Sequence, residues 1–179
     1  MTEESATPLT DSHSRRTLLA VAAGALAAGA GFAWWRYSPD TQPVLAPQAL
    51  WSATFDRPEG QELRLADFKG SPLVINFWAT WCTPCVEEMP LLNAFYQENK
   101  AKSWQMTGLA IDQPSAVRRF LDQHPVEYPV GLAGLNGTEL MGLLGNQAGG
   151  LPFTVVINEQ GAIRFRKLGK LSEADIAAW

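Results

Sequence analysis

The pattern of apolar and polar positions predicts a sheet with helices packed on it. Leu73–Trp78 is a nearly continuous apolar run, typical of a strand buried on both faces. Apolar residues then recur at helical spacing from residue 83 to residue 100, where Pro90 predicts a kink. The other predicted strands span residues 50–55, 62–65, 105–111, 128–130, 153–157 and 162–168. Two further predicted helices span residues 113–123 and 138–144. A last helix is predicted to begin at 172, because residues 172–175 resemble a capping box.

This order of elements predicts an α/β domain. Alternating strands and helices followed by a terminal hairpin and a helix give a mixed central sheet with helices on both faces. Functional sites in such sheets form beyond the carboxyl ends of the central strands. Trp81 and Cys82 come directly after the strand that ends at Trp78, so we expect the site there.

A separate apolar segment precedes the domain. Residues 17–35 carry no charge, and a helix of that length extends about 28 Å, enough to cross a hydrocarbon core. Arg15 and Arg16 before it predict that the N-terminus stays in the cytoplasm. We therefore predict a cytoplasmic tail at 1–14, a signal or transmembrane helix at 15–37, a proline-rich linker at 38–49, and a domain at 50–179 on the outer side.

The sequence leaves the fate of this segment open. Aromatic residues at its outer end, Trp34, Trp35 and Tyr37, favour a retained anchor. The A-x-A pattern at residues 28–30 instead fits a cleaved signal peptide and a soluble exported protein. Residues 14–19 also resemble a twin-arginine export signal in part, although leucine stands where phenylalanine is usual.

Composition narrows the chemistry. Of 179 residues, 46% are hydrophobic, and the net charge of −4 argues against nucleic acid as the main partner. The two cysteines, Cys82 and Cys85, have the C-x-x-C spacing of a redox pair or of half a zinc site. Zinc needs four ligands, and only His13 and His124 remain as further candidates. A purely structural disulfide would close a tiny loop and gain little stability. We therefore predict a redox pair without a metal or an external cofactor.

The position of the pair predicts its chemistry. Cys82 lies at the start of a helix, where unpaired N–H groups stabilise the thiolate that attacks disulfides. Cys85 lies one turn further on the same side, at a Cα separation of about 5–6 Å that suits a disulfide. Cys82 would attack a substrate disulfide and Cys85 would resolve the mixed disulfide. Neither Thr83 nor Pro84 is cationic, which favours a reductant over a strong oxidant.

Residues 74–90, VINFWATWCTPCVEEMP, resemble the signature of the TlpA/ResA-like thioredoxin-fold disulfide reductases. Residues 65–70, 108–112 and 150–154 are similar to the family in the same order, and the resemblance covers about residues 50–171. It implies a thioredoxin fold and a periplasmic or extracytoplasmic setting. Together with the apolar N-terminal segment, it predicts a bacterial inner-membrane protein whose domain faces the periplasm. It also implies reduction of protein disulfides, often in apocytochrome c maturation, with electrons from a membrane thiol-transfer protein.

The resemblance also implies roles for individual residues. Pro152 corresponds to a cis-proline that faces the cysteines and leaves the preceding backbone free to pair with a substrate strand. Glu88 corresponds to an acidic residue linked to proton handling, and a buried carboxylate there could accept the proton of Cys85. A solvated helix residue is the alternative for Glu88. The predicted substrate-binding residues are Trp81, Thr83, Pro84, Leu151 and Pro152.

Two positions depart from the family pattern. Asn76 stands in the place of the buried aspartate of ordinary thioredoxins, so that proton relay is absent. Leu151 precedes the proline where threonine or valine is more usual, which is expected to alter substrate choice. The alternatives to a reductase are a thiol oxidase, a peroxiredoxin-like peroxidase, and a non-catalytic metal or protein chaperone on the same fold.

Overall fold

The computed structural model describes Gly29 and residues 43–179. The predicted tail, the predicted anchor helix at 15–37 and the first part of the predicted linker lie outside the described residues, Gly29 apart. Among the residues that are described, no helix is long and apolar enough to span a membrane. Pro43–Trp179 forms one unit, which carries the predicted redox pair.

One mixed sheet of seven strands organises this unit. Its spatial order is β2-β1-β5-β4-β3-β6-β7, in which β3, β4 and β5 run parallel and the other neighbouring pairs are antiparallel. The strands are β1 Thr54–Asp56, β2 Glu62–Arg64, β3 Leu73–Trp78, β4 Gln105–Ala110, β5 Val130–Leu132, β6 Phe153–Ile157 and β7 Ile163–Leu168. The helices are α1 Gln48–Ser52, α2 Thr83–Asn99, α3 Pro114–Gln123, α4 Gly134–Leu143 and α5 Glu173–Ala177, with short 3-10 turns at Leu65–Phe68 and Lys100–Lys102.

Strand β3 separates two apolar layers. Leu73, Ile75 and Phe77 belong to the layer that contains buried residues of α1 and α4. Val74 and Trp78 belong to the other layer, which contains buried residues of α2 and α3. Because both faces are covered, every residue of β3 is buried, which explains its nearly continuous apolar run. The predicted mixed sheet with helices on both faces is confirmed.

The segment at residues 50–55 corrects one prediction. Instead of one strand it forms the end of α1, a break at Ala53 and then β1. Pro47 occupies the N-cap of α1, and Leu50 turns fully into the core. Within residues 50–55, pairing with β2 begins at Thr54.

Two further elements begin at least two residues away from the predicted start. Strand β5 begins at Val130, two residues later than predicted, after Pro129, which has no N–H to donate to a ladder. Helix α4 begins at Gly134, four residues earlier than predicted, despite glycines that disfavour helix. A Cβ at Gly137 would lie 2.4 Å from Ile111 Cδ1, so glycine permits the close approach of α4 to the sheet.

Contacts with the domain begin before residue 50. Ala46 donates a backbone hydrogen bond to Gly161 at 2.8 Å, and Ile163 donates one to Val44 at 2.8 Å. Leu45 forms an isolated bridge with Ala162. Residues 44–46 of the predicted linker therefore pair with the start of the terminal hairpin.

Candidate active site

The two cysteines are joined at the N-terminus of α2. The Cys82–Cys85 disulfide has a Cα–Cα distance of 5.3 Å, within the range that the spacing predicts. Cys82 is the N-cap residue of α2, and its carbonyl accepts hydrogen bonds from the N–H groups of Cys85 and Val86. Cys82 is 5% exposed and Cys85 is fully buried. Cys82 is therefore the cysteine that a substrate can reach.

Glu88 lies one turn beyond Cys85 and is fully buried. Its Oε1 accepts a hydrogen bond from Asn76 Nδ2 at 2.8 Å, and its Oε2 accepts one from the backbone N–H of Leu171 at 2.7 Å. Burial raises the pKa of Glu88 above its usual value, and these two hydrogen bonds oppose the shift. The carboxyl is thus fixed one helical turn beyond the buried cysteine, in a setting that raises its affinity for a proton.

Asn76 connects Glu88 to the sheet. Its Nδ2 also donates to Thr154 Oγ1 at 3.0 Å, so one side chain links β3, β6 and α2. The sequence marks Asn76 as a polar residue inside an apolar strand, but it does not indicate the contact with Glu88. No sequence signal points to Leu171, because it acts through its backbone.

The Leu151–Pro152 peptide bond is cis, as the resemblance implies. In the β3–β6 register Phe77 pairs with Phe153, which places Pro152 beside the carboxyl end of β3, the end that leads to Cys82. Leu151 is partly buried and packs against the layer that contains both cysteines. The structure therefore brings residues 151–152 to the same edge of the sheet as the redox pair.

Exposed residues flank Cys82 in sequence. Trp81 is 69% exposed, whereas Trp78 is fully buried in the core. Thr83 and Pro84 are also exposed. These three residues lie where a substrate approaching Cys82 would meet them, and their role in binding stays a prediction.

The described residues contain no group of three or more histidine, cysteine or acidic side chains arranged to hold a metal ion. His124 follows the last residue of α3 and stacks on Phe120 with ring centroids 4.5 Å apart. Its Nδ1 lies 3.3 Å from the Phe120 carbonyl oxygen.

Comparison with known proteins agrees with this geometry. The sequence pattern of the Redoxin family matches residues 45–178. The thiol-disulfide oxidoreductase ResA of Bacillus anthracis is 31% identical over 122 residues, which cover 68% of each chain. A thiol:disulfide interchange protein of the thioredoxin family from Chlorobium tepidum TLS superimposes with a TM-score of 0.67 at 26% identity, covering 78% of this chain and 94% of the other.

A thioredoxin-related protein from Neisseria meningitidis serogroup B is similar as well, with a TM-score of 0.62 at 33% identity, covering 70% of this chain and 94% of the other. The names of the ResA and Chlorobium proteins state thiol–disulfide chemistry, and the names of the Chlorobium and Neisseria proteins relate them to thioredoxin. The resemblance to TlpA/ResA-like proteins is therefore confirmed. The chain belongs to the Redoxin family and is a thiol–disulfide oxidoreductase that works through the Cys82–Cys85 pair without an external cofactor.

Proposed function

We propose that this chain reduces disulfides of extracytoplasmic proteins. The Cys82 thiolate attacks one sulfur of the substrate disulfide, the substrate S–S bond breaks, and its second sulfur leaves as a thiolate that takes up a proton. Cys85 then loses its proton and attacks Cys82 Sγ, which releases the second substrate thiol and forms the Cys82–Cys85 disulfide. Two electrons pass from the enzyme to the substrate.

The observation that carries this proposal is the unequal placement of the two cysteines. Cys82 keeps 5% of its surface exposed and lies at the N-terminus of α2, a position that stabilises a thiolate. Cys85 is fully buried and can react only with a sulfur already held at Cys82. This is the division of labour between an attacking and a resolving cysteine.

Glu88 is proposed to take the proton of Cys85 during resolution. A buried thiol cannot pass its proton directly to bulk water, and Glu88 follows it by one helical turn. Burial raises the pKa of Glu88, which brings the carboxyl closer to the pKa of a thiol and makes it a better base. Replacing Glu88 with Gln should slow resolution and remove the pH dependence assigned to this carboxyl. An unchanged pH–rate profile would show that Glu88 takes no part.

The reductant direction rests on the groups beside Cys82. The two residues between the cysteines, Thr83 and Pro84, are uncharged and exposed. The helix N-terminus therefore stabilises the Cys82 thiolate, but no cation in the C-x-x-C loop adds to that stabilisation. Because the thiolate is only moderately stabilised, we expect the pair to have a low reduction potential, as a reductase requires.

The proposed setting is the outer side of a bacterial inner membrane. It is supported by the uncharged segment at 17–35 and by the preceding Arg15 and Arg16. The proposed partners are disulfide-containing extracytoplasmic proteins, apocytochrome c among them, and a membrane thiol-transfer protein that returns electrons to the pair. The net charge of −4 gives no support to nucleic acid as a partner.

The equilibrium reduction potential of the full chain tests the direction. The chain is equilibrated in thiol/disulfide buffers, and the reduced fraction is counted by thiol alkylation, with Cys82→Ser as the control that cannot form the pair. A potential at or below about −270 mV, the range of thioredoxin, supports a reductase. A potential near about −120 mV, the range of strong periplasmic oxidants, would make the chain a thiol oxidase instead.

A further inference from the structure

Asp112 makes a close contact with the segment that leads to the redox pair. It follows Ile111 at the carboxyl end of β4, and its Oδ2 accepts two hydrogen bonds from Thr80, one from the backbone N–H at 2.9 Å and one from the hydroxyl at 2.5 Å. Its Oδ1 accepts a third hydrogen bond from the N–H of Gln113 at 2.7 Å. One carboxylate therefore joins the end of β4 to a residue two positions before Cys82.

Thr80 lies inside a turn that carries the exposed tryptophan. The N–H of Cys82 donates to the carbonyl of Ala79 at 3.2 Å, which places Thr80 and Trp81 at the two central positions of a β-turn. Ala79 is buried and Trp81 is 69% exposed. The turn thus rises from the core to the surface within two residues, and Thr80 is the point at which Asp112 holds it.

The electrostatics of the contact favour a charged carboxylate. Partial burial works against ionisation of Asp112, but the hydrogen bonds from the Thr80 hydroxyl and from the two N–H groups outweigh it and lower the pKa of Asp112. Hydrogen bonds to an ionised acceptor are roughly twice as strong as those between neutral groups. The link between β4 and the turn is therefore stronger than an ordinary polar contact.

We propose that Asp112 is a positioning residue that acts through Thr80 to hold the 79–82 turn, so that Trp81 is presented beside Cys82 for docking of a protein substrate. The inference rests on the proposed reduction of protein disulfides. It distinguishes two classes of substrate. A small disulfide needs only the Cys82 thiolate, whereas a protein disulfide must also fit against the turn, so release of the turn affects the protein substrate more.

Two substitutions release the turn in different ways. Thr80→Val is close to isosteric and removes only the hydroxyl hydrogen bond. Asp112→Asn keeps the shape but has one acceptor oxygen, so it cannot serve both Thr80 and Gln113. Thr80→Ser is the matched control, because it keeps the hydroxyl.

The experiment mixes the full chain in its reduced form with a disulfide and measures the second-order rate constant of the single turnover, for insulin as a protein disulfide and for a small aromatic disulfide. We expect Thr80→Val and Asp112→Asn each to lose at least about tenfold on insulin and less than about twofold on the small disulfide. Thr80→Ser should stay within about twofold of the wild type on both. The double variant should lose no more than the worse single variant, because both changes break the same contact.

Several results would overturn the inference. An equal loss of rate with the two disulfides would show that the substitutions change the reactivity of the Cys82 thiolate and not the docking of a protein. Unchanged rates with both disulfides would show that the contact with Asp112 is not needed to hold the turn. A Thr80→Ser variant as slow as Thr80→Val would exclude the hydroxyl contact as the cause. Urea unfolding midpoints identify a variant that fails to fold, and the other variant then decides alone. A wild-type chain without activity on insulin would instead overturn the proposed function, and this inference with it.

Discussion

The hydrogen bond from Asn76 to Glu88 offers a direct test of how the site controls protonation. Asn76 Nδ2 is one of the two donors to this buried carboxyl, at 2.8 Å from Oε1. Asn76→Leu removes the donor with little change in side-chain volume. The same substitution also removes the 3.0 Å hydrogen bond to Thr154 Oγ1, so a control must account for that contact.

The size of the effect depends on the charge of Glu88. A hydrogen bond between neutral groups contributes about 0.5–1.5 kcal/mol, and one to a charged group about 1.5–3 kcal/mol. Burial raises the pKa of Glu88 above 4.5, so the folded chain keeps a proton that the unfolded chain loses, and stability falls as pH rises from about 4.5 through the folded pKa. Loss of the donor makes ionisation in the folded state still less favourable. The cost of Asn76→Leu should therefore grow by about 1–2 kcal/mol across this window.

Urea unfolding of the oxidised chain at a series of pH values from about 4 to about 8 measures this cost. Thr154→Val is the matched control, because it removes the hydrogen bond between Asn76 and Thr154 Oγ1 but keeps the one between Asn76 and Glu88. It should lower stability by a nearly constant amount of about 1 kcal/mol at all these pH values. A cost of Asn76→Leu that does not change with pH would refute the reasoning, since it would show that Asn76 does not interact with the charge of Glu88.

Three further predictions concern other parts of the domain. Asp175→Asn should lower the melting temperature at neutral pH. Hydrogen bonds from Lys167 and from the α5 N-cap lower the pKa of Asp175 to about 2 and so stabilise the folded chain while this carboxylate is charged. The difference in melting temperature from the wild type should therefore vanish as pH falls from 3.8 through about 2. Gly137→Ala should cost about 1–3 kcal/mol in urea unfolding, because the new Cβ would lie within 2.6 Å of two side chains. Gly142→Ala in the same helix, where a Cβ meets none of the described atoms within 4 Å, should instead stabilise by up to about 1 kcal/mol. Trp81→Ala should change stability by less than about 0.5 kcal/mol, given its 69% exposure, while it slows reduction of a protein disulfide measured by kcat/KM.

The elements around the redox pair could be predicted because their signals are local. An apolar run long enough for a strand but too short for a helix defines β3, and Pro84 at the start of α2 favours a helix beginning there. Residues 50–55 carried no such signal, because their apolar positions fit a short helix as well as a strand. Their structure follows from what packs on them: Leu50 is buried by the core, and only residues from Thr54 onward meet a neighbouring strand.

The sequence identifies the reacting cysteines, but it does not show which groups set the proton affinity of Glu88. Cys82 and Cys85 are three positions apart, so the sequence marks them as a pair, and the scarcity of further metal ligands favours a redox pair. The donors to Glu88 come from 12 positions before it and 83 positions after it, on different elements of the fold. The later donor is the backbone N–H of Leu171, which every residue except proline would supply. Since no side-chain identity at position 171 records this contact, a sequence pattern can indicate which residues exchange electrons, but the folded structure is needed to show what controls the proton.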